Sequence, residues 1–132
     1  MRETWDDYFA SVARAVSGRS TCRRKKVGAV IVCRKRILAT GYNGSGEGEA
    51  HCEDVGCNVV ADHCTRTIHA EENALNQFNQ YINPELNYSK IDIYSTLQPC
   101  DKCEKLLRSH FSRLTIHWTE SQKEYQDAKL QN

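Results

Sequence analysis

The sequence has almost no net charge: eighteen Lys and Arg stand against seventeen Asp and Glu, a formal balance of +1 over 132 residues. So neutral a chain has no broad field with which to hold a long nucleic acid by phosphate neutralisation, although a small charged ligand is still open to it. It also lacks any apolar run near the roughly 20 residues that span a bilayer. Its start, MRETWDDYFA, is amphipathic and acidic rather than a basic stretch leading into an apolar segment. These absences lead us to expect a soluble, cytoplasmic protein with no membrane partner and no stable nucleic-acid complex. There is no internal repeat and no low-complexity tract. A hydrophobic content of 39% over this length suits a single compact domain, residues 1–132, with a modest core.

What the chain does have is cysteine, seven in all. A disulfide framework calls for a secretory signal and usually an even count, and both are missing, so reduced thiols that bind metal fit better. The periodicity predicts where they fall. Trp5, Tyr8, Phe9, Val12 and Val16 recur at helical spacing, giving a first helix over 4–17 with this stripe as core packing. KVGAVIVC (26–33) and RILATGY (36–42) read as a β-hairpin turning at Arg34-Lys35, with one strand buried. Residues 43–66 show no clear period, and a structureless stretch that long needs a function or a metal. A helix over 68–81 follows, then a strand in KIDIYSTL (90–97), a helix over 100–111, a strand in RLTIHW (113–118) and a last helix in SQKEYQDAKL (121–130). Strands alternating with helices after an opening hairpin imply an α/β fold, a mixed sheet covered by helices on both faces.

Two motifs carry the chemistry. In TIHAEENAL (67–75), His69 and Glu71 stand two apart at the start of a helix, and in LQPCDKC (97–103) Cys100 and Cys103 stand three apart at the start of another. Residues three apart lie on one helical face, and a helix N-terminus favours thiolate, so both sulfurs can serve one metal. Taken singly these are weak signals, since a His near a Glu is most often a surface or capping pair and redox dithiols share the CxxC spacing. Together, one His and two Cys form the three-ligand zinc set that leaves a fourth position open for water. A carboxylate beside that position, not bound to the metal, can take the water's proton and hand it on. Residues two apart in a regular helix do not share a face, so His69 and Glu71 converge only if His69 lies at the helix edge.

His-x-Glu followed by Pro-Cys-x-x-Cys is the signature of zinc deaminases. TIHAEENAL and LQPCDKC, preceded by KVGAVIV and ATGYNG, closely resemble the deoxycytidylate (dCMP) deaminases of the cytidine deaminase superfamily, some of them encoded by bacteriophages, over roughly residues 5–120. The resemblance implies a three-layer α-β-α cytidine deaminase-like fold with a central mixed sheet. It implies hydrolysis of dCMP to dUMP and ammonia for thymidylate synthesis, with a catalytic zinc on His69, Cys100 and Cys103 and with Glu71 moving the protons. Asn43 and Ala70 would bind substrate, and Arg24 and Lys26 of the basic run RRKK would face the 5′-phosphate. Either Trp118 or Tyr125 would pack on the base.

The resemblance implies a second, structural zinc as well, held by Cys22, Cys52, Cys57 and His63, with His51 and Cys64 as the nearest substitutes. Cys33 is left as a buried thiol, and His110 and His117 are given no role. It further implies that Gly41, Tyr42, Asn43 and Gly44 form an allosteric segment where subunits meet, binding dCTP with magnesium as activator and dTTP as inhibitor in a homo-oligomer, often a hexamer. If the chain is viral, its compartment would be the host cytoplasm. Two rivals stand against this reading. A non-catalytic zinc module for nucleic acid has no use for an acid beside an open zinc position and normally shows a basic surface. A deaminase of tRNA or single-stranded DNA would share the catalytic residues but needs a groove for flanking nucleotides.

Overall fold

A computed structural model of the chain describes residues 2–21, 25–44, 59–60, 63–64, 68–81 and 90–118, and of 59–60 and 63–64 the backbone alone. The elements in chain order are α1 (Trp5–Ser17), β1 (Gly28–Cys33), β2 (Arg36–Tyr42), β3 (Val59–Val60), β4 (His63–Cys64), α2 (Ala70–Tyr81), β5 (Ile91–Ser95), α3 (Asp101–His110) and β6 (Leu114–Trp118). The main sheet runs β2-β1-β5-β6. β1 pairs antiparallel with both neighbours, and β5 pairs parallel with β6 across α3, so the sheet is mixed as expected.

Strand β1 shows how the layers arise. All six of its residues are buried, and the two-residue alternation of a strand sends them to two different cores. Ala29, Ile31 and Cys33 join Ile91 and Ile93 of β5 beneath α2 and α3, against Ala74, Leu75, Phe78 and Leu107. Val30 and Val32 join Tyr94 beneath Phe9 and Ala13 of α1. A strand covered on both faces reads as a continuous apolar run, as KVGAVIVC does. The hairpin closes through Arg34 and Lys35, whose φ values of 53° and 63° are those of the two-residue turn that follows the sheet's twist.

Two glycines bring the layers together. A Cβ on Gly28 would lie 2.1 Å from Ala13 O, so α1 rests directly on the start of β1. A Cβ on Gly41 would lie 2.3 Å from Ala74 N and 2.4 Å from Ala70 O, so the end of β2 lies directly on the first turns of α2. Two side chains on α2 fasten the same contact: Asn73 Nδ2 donates to Tyr42 O at 2.8 Å, and Gln77 Oε1 accepts from Thr40 N at 2.7 Å.

The structure corrects two expectations. The α1 stripe is not core along its whole length, because Trp5 and Tyr8 are 52% and 41% exposed and only Phe9 and Ala13 are buried. Trp5 and Tyr8 form an aromatic cluster with Phe9, lining a cavity that they share with the hairpin turn Arg34–Ile37. The 43–66 stretch is not wholly structureless either. Its β-branched pair Val59–Val60 forms a two-stranded antiparallel ribbon with His63–Cys64. The predicted last helix, 121–130, lies outside the described residues. No helix among those described is long and apolar enough to cross a membrane.

Candidate metal centre and active site

The site forms where three chain segments end together: the C-terminal end of β5 and the N-termini of α2 and α3. His69 stands just outside α2, and its carbonyl accepts from Asn73 N at 3.0 Å, so it holds the edge position at which convergence with Glu71 is geometrically allowed. Cys100 is the N-cap of α3 in extended conformation (φ −70°, ψ 164°), and its carbonyl accepts from Glu104 N. Pro99 therefore stands just before the cap. Cys103 lies in the first turn of α3 and is buried.

His69 Nδ1 is 3.5 Å from Cys100 Sγ and 3.3 Å from Cys103 Sγ, and the three ligand atoms lie within 4.8 Å of one another. Zinc with ordinary bond lengths to nitrogen and sulfur in tetrahedral geometry sets those two atoms about 3.6 Å apart. The donor set therefore fits that ion, using three of its four positions. Burial pushes the Cys103 thiol pKa far up, and the charges of Glu71 and Cys100 act in the same direction. A cation at the centre of the cluster is what would offset that cost.

Glu71 is 4% exposed in the first turn of α2 and is not one of the clustered ligands. Burial raises its carboxyl pKa above the ordinary value. Its own backbone N–H, the Ser95 hydroxyl and the Lys25 charge pull the other way. Ser95, the last residue of β5, donates to Glu71 Oε1 at 3.0 Å. A buried carboxylate so held can accept and return a proton.

Around this centre the expected substrate and effector residues divide. Ala70 is buried between His69 and Glu71 in the chain, at the head of α2. Asn43 is buried with its side chain turned onto the chain itself: Oδ1 accepts from Val27 N at 2.8 Å and Nδ2 donates to Lys25 O at 2.6 Å. Ser20 Oγ donates to Asn43 O at 2.8 Å. Asn43 thus fixes the approach to β1 from inside, whatever it also offers a ligand. Lys26 is exposed and donates to Ser20 O, whereas the neighbouring Lys25 is the lysine whose charge reaches Glu71. Of the segment Gly41, Tyr42, Asn43 and Gly44, only Tyr42 is exposed. Gly44 and Ile68 exchange backbone hydrogen bonds of 3.1 and 2.7 Å, which ties the segment to the residue just before His69.

Trp118 ends β6 in register with Ser95 and is 49% exposed, which puts an aromatic face at the active end of the sheet. Cys22, Arg24, His51, Cys52, Cys57 and Tyr125 lie outside the described residues, as do the side chains of His63 and Cys64. Cys33 is a buried free thiol. His117 pairs with Asp92 at 2.9 Å and stacks on Tyr94, and His110 packs edge-on against Phe111, so both serve structure. Sequence reasoning missed Ser95 and Lys25. A hydroxyl residue closing an apolar strand five positions before Cys100 was the available signal for Ser95.

Residues 3–117 match the family described as the cytidine and deoxycytidylate deaminase zinc-binding region. The chain is 46% identical over 104 residues to ComE operon protein 2 of Bacillus subtilis, covering 79% of this chain and 53% of that protein, so it spans about half of that relative's length. It is 34% identical over 131 residues to the deoxycytidylate deaminase of Mycobacterium phage D29, covering 91% of this chain and 98% of that one. Among solved structures, the apo dCMP deaminase of cyanophage S-TIM5 superposes with a TM-score of 0.67 at 25% identity, covering 96% of this chain and 94% of that chain.

Proposed function

This chain belongs to the cytidine and deoxycytidylate deaminase family, and from that premise we propose that it hydrolyses dCMP to dUMP and ammonia. The observation that carries the reaction class is the convergence of His69, Cys100 and Cys103 beside a buried carboxylate that is not one of them. The choice of dCMP is supported by the mycobacteriophage relative, a deoxycytidylate deaminase whose length this chain matches almost fully.

His69, Cys100 and Cys103 would hold zinc, a Lewis acid that makes a water acidic enough to lose its proton near neutral pH. Glu71 takes that proton and delivers it to N3 of cytosine as the water oxygen bonds to C4. It then carries the remaining hydroxyl proton to the amino group, the C4–N bond breaks, and ammonia leaves with the C4 carbonyl formed. Ala70 contributes backbone at the head of α2, against which the base would lie. Trp118, at the exposed end of β6, would stack on the base, with Tyr125 as the alternative. Arg24, Lys26 and the adjoining Lys25 supply the positive charge for the 5′-phosphate.

We further propose a structural zinc on Cys22, Cys52, Cys57 and His63, with His51 or Cys64 able to substitute. Protein purified without chelator would then carry two zinc ions per chain. Regulation follows the same reading: dCTP with magnesium activates and dTTP inhibits in a homo-oligomer, a hexamer, supplying dUMP for thymidylate synthesis. The Gly44–Ile68 bridge supports the coupling, because Tyr42 offers surface one end of a segment whose other end adjoins His69. Rate against dCMP should be sigmoidal, and dCTP with magnesium should make it hyperbolic. A coupling of about 1–3 kcal/mol would shift affinity roughly 5–150-fold.

The deciding experiment measures ammonia released from dCMP, cytidine, dCTP and a short oligonucleotide at equal concentration. Preference for dCMP supports the proposal. Preference for the oligonucleotide would make the chain a polynucleotide deaminase, and no release from any substrate would remove the catalytic reading.

A further inference from the structure

Ser95 is a buried polar residue that closes a strand whose other inward-facing side chains, Ile91 and Ile93, are apolar. Its side chain is 0% exposed, at the end of a central strand whose backbone is paired on both sides, with Ala29 on β1 and Trp118 on β6. A hydroxyl has one proton to donate. Here the Leu97 N–H points at Ser95 Oγ from 3.4 Å, and the hydroxyl proton goes to Glu71 Oε1 at 3.0 Å. The donor is as rigid as the sheet, whereas the terminal torsion of a glutamate is broad and, unanchored, lets its two oxygens exchange places.

We propose that Ser95 is a positioning residue for deamination, holding Glu71 by Oε1 so that Oε2 is the oxygen that takes and returns the proton. The role rests on the reading of Glu71 as the proton carrier of a dCMP deaminase. It adds no covalent step: the Ser95 O–H bond stays intact, and the hydroxyl acts only by fixing which carboxylate oxygen faces the base. Because that placement counts during proton transfer and not during substrate binding, its loss falls on kcat rather than KM.

The test compares wild type, Ser95→Ala, Ser95→Thr and Ser95→Cys as zinc-loaded enzymes, each also with Glu71→Gln. Ser95→Ala should lower kcat for dCMP about tenfold with KM within about twofold. Ser95→Thr, which keeps the hydroxyl at a strand position that favours β-branching, should regain most of the loss. In the Glu71→Gln background Ser95→Ala should change the residual rate less than about twofold, since the side chain that Ser95 orients no longer carries a proton. Independently of turnover, the carboxylate stretch of Glu71, isolated by infrared difference against Glu71→Gln, should shift in Ser95→Ala and return in Ser95→Thr. Ser95→Cys, close in size with a weaker donor, should fall between and keeps the test in force if alanine impairs folding. A kcat of Ser95→Ala within about twofold of an active wild type, or an equal fold loss in both backgrounds, overturns the role of Ser95 alone. Absence of dCMP turnover in fully zinc-loaded wild type overturns the functional reading and this role with it.

Discussion

Replacing Gly41 by alanine tests how the sheet sets the active site. The added Cβ would lie 2.3 Å from Ala74 N and 2.4 Å from Ala70 O, both backbone atoms of α2 that cannot swing aside as a side chain can. Restoring ordinary contact requires the helix to retreat by about 1 Å, and overpacking of this kind costs about 1–3 kcal/mol. For a chain of this size that corresponds to a fall in Tm of roughly 3–15 °C. The retreat also strains the Asn73 to Tyr42 and Thr40 to Gln77 hydrogen bonds. Because the helix that moves carries Glu71 and begins beside His69, a displacement of about 1 Å should cost activity on the order of 10²-fold. Urea unfolding and dCMP turnover on the same preparation read both effects. Gly18→Ala is the control, since its Cβ would meet only Ala15 O at 3.3 Å, at a position with helical φ and ψ. Wild-type unfolding midpoint and wild-type kcat in Gly41→Ala would refute the claim that this contact seats α2.

Three further outcomes follow from the same structure. Asn43→Ala leaves Val27 N and Lys25 O without their side-chain partner and should lower stability by about 2–4 kcal/mol in denaturant unfolding. Cys103→Ala should lose one zinc per chain by elemental analysis while far-UV circular dichroism keeps the helix and strand signal. Phe9→Ala empties a site buried against Tyr94 and should cost about 3–5 kcal/mol. Trp5→Ala, half exposed on the same helix, should cost less than about 1 kcal/mol, which thermal unfolding of the pair separates.

The sequence made the fold legible where burial writes a period. KVGAVIVC reads as a buried strand because both its faces are covered, and the two cores beneath α1 and beneath α2 and α3 draw on alternate residues of that one strand. Periodicity misled at Trp5 and Tyr8, since a helical stripe says which face turns inward but not that an open cavity separates its first turn from the hairpin it faces. The ribbon of Val59–Val60 with His63–Cys64 was illegible because two-residue strands leave no period to detect. At the candidate site, residue type and spacing singled out His69, Cys100 and Cys103, which the fold brings together, and Glu71, which it buries, because few side-chain types can bind a metal. Ser95 and Lys25 escaped because their roles depend on what stands opposite them in space. The bonds from the Asn43 side chain to Val27 N and Lys25 O are likewise a use that no local pattern announces.

The central claim is that Glu71 moves protons at a zinc held by other residues, and Glu71→Gln tests it most directly. The substitution keeps the shape of the side chain and leaves His69, Cys100 and Cys103 untouched. Zinc content and ammonia release from dCMP should be measured on one preparation alongside wild type. Zinc should stay at the wild-type level while kcat falls by about 10²–10⁴-fold, the range of a positioned acid and base. Near-normal turnover at full zinc content would contradict the account, and so would loss of the metal, which would make Glu71 a ligand.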